Sequence, residues 1–467
     1  MADKDVIVIG SGPAGHAAAL RAAELGASVA VVEAGPCGGN CVNFGCIPNN
    51  VMLETVRLGI DLQEFALAGV IDSGNSLNFS RAVARKDRLV AGMADGIRNQ
   101  FDARAIDFIS GHARLISPNS ISVNLSEGGS LELSSRAIVI ATGARPEPPS
   151  LPGFGGEVLT MDQALRLAEP PISALVLGGG PVGLGFALEQ AFVLASFGSV
   201  VTVVEPGDDP LPGADPEMVE YLLQGLSAAG VRVLVSSRVS EISSEGTGRE
   251  AVLVTADQTQ RVPAATIIAP DCRRTYFDGL GLDQAGVENA AGGINVDDRC
   301  ATNVPGIFAV GDVTGVLMFS HAAALQGRAA AENALGLGSR ARLRALPRAV
   351  HTEPEMAYVG LNEQQARDKG YEVRIGLSDL SGNFRAVARG RREGAVKLIV
   401  GARHGEILGV HILGPGAAEL IGQAALALQL DNTVEELADI THWHPSLAEA
   451  LVDAARRVSQ KQMPSRK

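Results

Sequence analysis

Cys41 and Cys46 are the residues in this chain best suited to chemistry. With Cys37 they make three of only five cysteines, crowded into ten residues beside Gly38, Gly39 and Gly45. In a reducing compartment such a cluster reads as a metal site or a redox pair. No His or further Cys stands nearby at zinc-ligand spacing, so the redox reading leads and no metal is expected. Five residues of regular helix rise about 7.5 Å, whereas a disulfide needs Cα atoms about 4.4–6.8 Å apart. The backbone between the two must therefore bend, and Gly45 gives it the freedom to do so. A thiolate held here near a helix N-terminus would have a lowered pKa and good nucleophilicity. Cys37 and Cys272 read as packing residues. Far along the chain, His442, His444 and Glu449 form a second group. A histidine titrates near neutrality, and a carboxylate five residues on can orient it. By themselves two such histidines are more often surface or core residues.

Two repeated units must position these groups. Residues 5–9, DVIVI, suit a buried parallel strand. Gly10, Gly12 and Gly15 follow in a glycine turn, then an alanine-rich helix, then a second apolar run that ends in Glu33. The glycines let a pyrophosphate approach the helix N-terminus, and Glu33 can accept hydrogen bonds from a ribose diol. The pattern recurs with Gly178, Gly180 and Gly183, closing on Glu205. Two dinucleotide units in one chain imply electron transfer between two dinucleotides. After Glu205 the chain reads Pro206-Gly207-Asp208-Asp209, with no cation to receive a 2′-phosphate, so NAD is expected rather than NADP. Beside these units, two unpaired buried cysteines become the weaker reading of Cys41 and Cys46.

The totals agree with an enzyme of several domains. The chain has 467 residues, 46% hydrophobic and 19% charged. That length holds two to four domains. A net charge of −13 disfavours nucleic acid as a partner, since phosphate neutralisation needs excess Lys and Arg. No apolar run is long enough to span a bilayer, and the N-terminus enters a strand without a cationic leader, so no membrane and a cytoplasmic location are expected. Ser243 to Gly248 reads as a surface hairpin.

The stretch GGNCVNFGCIP resembles the redox-active helix of the pyridine nucleotide–disulfide oxidoreductases, the dihydrolipoamide dehydrogenases most closely. RAIVIATGAR at 136–145, TNVPGIFAVGDVTG at 302–315, EPEMAYVG at 353–360 and GEILGVHILGPGAAE at 405–419 carry the likeness along nearly the full chain. The resemblance implies an α/β protein with two Rossmann-like dinucleotide-binding domains, for FAD and NAD, plus a C-terminal α+β dimerisation domain. The FAD domain is expected at 1–146 and 268–341, the NAD domain at 147–267 and the interface domain at 342–467. It places Asp312 on the ribityl chain and Gly111 and Ala113 at the adenine. Thr142, Gly143, Met318 and His321 count among the flavin contacts, and Val239 among those of NAD. By the same correspondence His444 is the base and Glu449 its partner, serving the cysteines of a second subunit in a homodimer. The implied substrate is the dithiol of a lipoyl-bearing carrier protein or a small dithiol/disulfide. Another NAD(P)H-dependent disulfide or mercuric reductase, or an altered flavoprotein subunit, is the alternative.

Three departures stand out. Asn50 replaces the family lysine beside the flavin, and Gly185 replaces its glutamate partner. The loss of both is coherent, since one alone would leave a buried charge unpaired. Glu189 lies about one turn further along the following helix, where its reach to the nicotinamide is in question. Cys272, Thr275 and Tyr276 replace family Gly and Pro-Asn at the nicotinamide border.

Overall fold

The computed structural model describes residues 2–72, 76–180, 184–243, 249–256 and 258–459. Gly183 and nearly all of the Ser243–Gly248 stretch lie outside them.

The first domain is built on β1 (Lys4–Ile9), β2 (Val29–Glu33), β3 (Asp107–Ser117), β4 (Ser120–Leu125) and β5 (Ser130–Ile140). β1 pairs in parallel with both β2 and β5, β2 with β3, and a late strand, Ile307–Ala309, with β5. β3 and β5 run on past this sheet to sandwich β4 antiparallel, making a second layer. The DVIVI run is buried on both faces, as a central parallel strand requires. Helix α1 (Pro13–Glu24) owes its small-residue face to a close neighbour, the helix Ser320–Ala334. A Cβ at Gly327 would lie 2.1 Å from the Ala14 carbonyl oxygen, so only glycine allows that approach. Then come α2 (Gly39–Asn43), α3 (Cys46–Leu67) and α4 (Phe79–Asp102).

β6 (Ala144–Pro146) leaves this domain. The second domain holds β7 (Leu159–Thr160), α5 (Met161–Ala164), β8 (Ser173–Leu177), α6 (Gly185–Ser196), β9 (Val200–Val204) and β10 (Val231–Leu234). An antiparallel trio follows, β11 (Arg238–Ser243), β12 (Glu250–Val254) and β13 (Thr259–Pro263), then β14 (Thr266–Ala269). The parallel sheet order is β10-β9-β8-β14-β7. The division expected at 267/268 falls inside β14, which stays in the second sheet as far as Ala269. The chain returns through β15 (Arg273–Thr275), paired antiparallel with β6.

The C-terminal domain is a five-stranded antiparallel sheet, in spatial order Arg348–Val350, Met356–Gly360, Ile407–Leu413, Ala395–Gly401 and Val373–Asp379. Helices Ala417–Gln429 and Glu449–Val458 pack on it.

α3 sits where the three domains meet. Its Met52, Leu53 and Val56 share one buried cluster with Leu184, Leu188 and Phe192 of the second domain and with Val350 and Met356 of the third. Truncating one of the Leu, Met or Phe side chains here to Ala costs about 2–5 kcal/mol. Arg57 of α3 pairs with Glu355 at 2.6 Å, and Asp61 of α3 pairs with Arg391 at 2.5 Å, so α3 is also tied to the C-terminal domain by charge.

Candidate active site

The two cysteines lie on consecutive helices. Cys41 is in α2, the helix breaks at Phe44, and Gly45 (φ −134°, ψ −105°) leads into α3, whose first residue is Cys46. The bend required by a disulfide is present, although both sulfurs are free thiols here. At a helix N-terminus, Cys46 feels the positive end of the dipole. The Cys41 thiol donates a hydrogen bond to it, and with help from Ser320 and Arg273 this outweighs burial and lowers the Cys46 pKa to about 6. The same bond, with burial, pushes the Cys41 thiol far up. The Oγ of Ser320 lies 3.4 Å from the Cys46 sulfur.

Both sulfurs open on a cavity of about 670 Å³. It runs from Gly10, Gly12 and Glu33 past the cysteines to Asp312. Gly111, Ala113, Thr142 and Gly143 form part of its wall. Gly10 has φ +105°, and a Cβ there would lie 2.3 Å from the Ala141 carbonyl oxygen. Gly15 lies just behind the turn, where a Cβ would meet the Gly10 carbonyl oxygen at 1.8 Å. Glu33 accepts from the backbone and hydroxyl of Ser11, each at 2.7 Å, and from Gly35 N at 2.8 Å. Glycines, an acid at the end of the second strand and a long cleft suit a dinucleotide: a glycine-lined turn for the pyrophosphate and a carboxylate beside the ribose.

The second turn repeats the device. Glu205 accepts from Gly179 N and from Gly207 N, both at 2.8 Å. A Cβ at Gly178 would strike the Glu205 carboxylate at 2.3 Å, and one at Gly180 would strike Asp271 at 2.4 Å. Gly183 lies outside the described residues.

Several of the other expected cofactor residues are not part of this cavity's wall. Asn50 does not line the cavity: its side chain donates back to the Cys46 carbonyl at 3.0 Å, the ordinary recourse of a short amide within a helix. Glu189 is buried behind the cysteine helix and is likewise absent from the cavity wall. It accepts from Asn49 Nδ2 at 2.6 Å and from His351 N at 2.8 Å. Burial pushes its pKa up to about 7. Gln190 completes the set by donating to Asn49 Oδ1 at 2.7 Å, so Asn49 and Glu189 form a polar pair of their own in this chain. Met318 offers its carbonyl to Arg273 at 3.3 Å, and His321 stands exposed on the first turn of the following helix beside Phe319. Neither lines the cavity. Val239 packs into the core of the second domain.

His444 and Glu449 do meet. His444 Nδ1 is 2.9 Å from Glu449 Oε1, and the other carboxylate oxygen accepts from Ser446 N at 2.8 Å. These two bonds, the Ser446 one first, hold the Glu449 carboxyl below its usual pKa. The imidazole is 61% exposed and lines no part of this chain's cavity. His442 is engaged separately with Gln423 at 3.0 Å. Cys272 lines the cavity, but its thiol donates to the Ala269 carbonyl and burial raises its pKa; burial does the same to Cys37.

Two residues of the site escaped the sequence. Arg273 and Ser320 share the cavity with Cys46. Arg273 had a signal, since it sits in the segment that departs from the family; Ser320 had none. Among the described residues no three His, Cys, Asp or Glu side chains are grouped to hold a metal ion, and no helix is long and apolar enough to cross a membrane.

A sulfur pair set between two dinucleotide cradles defines a disulfide oxidoreductase working with a pyridine nucleotide. Residues 4–327 match the family described as pyridine nucleotide-disulphide oxidoreductase, and 346–455 match that family's dimerisation domain; the chain belongs to this family. It is 35% identical to a mitochondrial dihydrolipoyl dehydrogenase of Pisum sativum, over 98% of this chain and 92% of the relative. The structure of LpdA from Mycobacterium tuberculosis superposes with a TM-score of 0.87 at 29% identity, covering 97% of this chain and all of that one. The copper(II) complex of the HOCl-induced flavoprotein disulfide reductase RclA from Escherichia coli gives 0.85 at 27%, covering 98% of this chain and all of that one. FAD and NAD are the cofactors that go with this membership.

Proposed function

We propose that the protein is a dihydrolipoyl dehydrogenase: it oxidises the dihydrolipoyl dithiol of a carrier protein to the disulfide and reduces NAD⁺. The observation that carries this reading is the sulfur pair itself, with Cys46 lowered to about 6 and Cys41 held protonated, beside the first dinucleotide cradle. Full-length relatives named for this activity support the substrate.

The cycle starts with Cys41 and Cys46 joined as a disulfide. His444 of a second copy, oriented by its Glu449, takes the proton of one substrate thiol. The resulting thiolate attacks Cys41 Sγ, and the electrons of the S–S bond leave on Cys46, whose low pKa makes it the better leaving group. The second substrate thiol loses its proton to solvent, and its thiolate attacks the substrate sulfur bonded to Cys41, which leaves. Substrate disulfide is released, and the proton His444 held passes to Cys41. FAD, when bound, would supply the two-electron carrier between the Cys46 sulfur and NAD⁺. Gly10, Gly12, Glu33 and Asp312 would hold the flavin; Gly178, Gly180 and Glu205 would hold NAD, with Glu205 disfavouring a 2′-phosphate. A cytoplasmic homodimer completes the reading, supported by the dimerisation domain and the exposed His444–Glu449 pair.

A steady-state assay decides it: free dihydrolipoamide and several lipoylated carriers, each with NAD⁺ and NADP⁺. Turnover with NAD⁺ is expected to vanish in Cys41→Ser. If no lipoyl substrate is oxidised while NADH drives reduction of another disulfide, the general reductase reading, to which the likeness to the Escherichia coli flavoprotein disulfide reductase points, takes its place.

A further inference from the structure

Arg273 is used by nothing in the cycle above, yet it stands in the cavity with the cysteines. Its Nε pairs with Asp271 at 2.7 Å, its Nη1 with Asp312 at 3.1 Å, and its Nη2 donates to the Met318 carbonyl at 3.3 Å. Two residues beyond Met318, the Ser320 hydroxyl touches the Cys46 sulfur at 3.4 Å. One short segment, 318–320, thus holds the guanidinium at one end and the sulfur at the other. The Arg273 side chain is 18% exposed, so its field is little screened.

We propose that the Arg273 guanidinium, held in the cavity by Asp271, Asp312 and the Met318 carbonyl, helps to keep negative charge on Cys46. The claim rests on the reading of the two cysteines as the redox pair, and is independent of the substrate. An opposite charge favours an ionised form and a like charge disfavours it. The Cys41 thiol's hydrogen bond is the largest cause that lowers Cys46, and Arg273 adds to it after Ser320. The charged and titratable groups around Cys46 are Cys41 from α2, Arg273 from β15 with Asp271 and Asp312 on its guanidinium, Glu189 of α6, reached through Asn49, and, in the proposed dimer, His444 of the second copy. Arg273 is the permanent cation in this set; the position after Asn49, where the family carries lysine, is Asn50. The arrangement also separates the roles of the two sulfurs: Cys46 is charged and leaves, and Cys41 stays protonated once released.

Titrating the thiolate ultraviolet absorbance of the mildly reduced holoenzyme tests this. Cys37, Cys272 and Cys300 are all raised by burial, so the first thiolate to appear as pH rises is that of the redox pair. In Arg273→Gln its midpoint is expected to climb by at least about one pH unit, a tenfold smaller ratio of ionised to neutral sulfur at a given pH. Arg273→Lys should restore most of the shift. Asp271→Asn removes a carboxylate from the same guanidinium and should move the midpoint down. An unmoved midpoint in a flavin-bearing Arg273→Gln overturns the proposal; should that variant not fold, a midpoint that stays or rises in Asp271→Asn does so. Normal shifts in protein that ignores every lipoyl substrate would remove the dehydrogenase reading and leave this one standing.

Discussion

Ser320 Oγ and Cys46 Sγ lie 3.4 Å apart, one at the start of a late helix and the other at the start of α3. Two helix N-termini thus converge on one sulfur. Losing the hydroxyl removes about 1 kcal/mol of stabilisation from the thiolate. Ser320→Ala should therefore raise the Cys46 midpoint by about 0.7 of a pH unit. Titration of the reduced enzyme checks this, and a lowered midpoint would contradict the contact.

The His444–Glu449 pair gives a test of subunit sharing. His444→Gln should cut turnover by about 10²–10⁴, the usual weight of a general base. Glu449→Gln keeps a hydrogen-bond partner for the imidazole but not the charge, so its loss should be smaller. Inactive Cys41→Ser protein mixed with inactive His444→Gln protein, then allowed to exchange subunits, should recover about a quarter of the parent rate. Half the dimers are then hybrids, each with one intact site. No recovery after proven exchange would place the whole site within one chain.

Glu189 predicts a dependence of stability on pH. Its folded pKa of about 7 lies above the unfolded carboxylate value. The folded state therefore holds this proton more tightly. The associated stability is fully present below the unfolded pKa and is lost as pH rises towards 7, amounting to about 3 kcal/mol at most. Glu189→Gln cannot ionise. Its apparent melting temperature should gain on the parent between pH 5.5 and pH 8, as followed by differential scanning fluorimetry in parallel series. Glu189→Ala should instead destabilise at every pH by about 1–3 kcal/mol, because Asn49 and the His351 amide lose their acceptor.

Gly180 separates the two nucleotide sites. A Cβ there would fall 2.4 Å from Asp271, so Gly180→Ala must displace the turn. The expected result is a rise of about tenfold or more in the KM for NAD⁺, or about 1.4 kcal/mol of lost binding, with flavin absorbance unchanged. Loss of flavin with unaltered KM would reverse the assignment of the two cradles.

The two nucleotide units were legible because each is local: strand, glycine turn, helix, strand and acid fall within about thirty residues, and periodicity reports them. The bend between Cys41 and Cys46 followed from simple distance. What escaped depended on partners far apart in sequence. Asn50 turns its amide onto its own helix, and no pattern of residues announces that choice. Glu189 could be set one turn along its helix, but only packing shows that Asn49, 140 residues away, meets it there. Ser320 reaches Cys46, and Arg273 the same cavity, from two returning segments, and this arrangement forms only once the first domain closes on itself.

α3 is held from two directions: apolar residues lock it to the second domain, and the Arg57–Glu355 and Asp61–Arg391 pairs fasten it to the third. A part gripped so firmly cannot swing between partners during turnover. Any substrate must then come to a stationary sulfur, while only bonds and charge travel through the body of the enzyme.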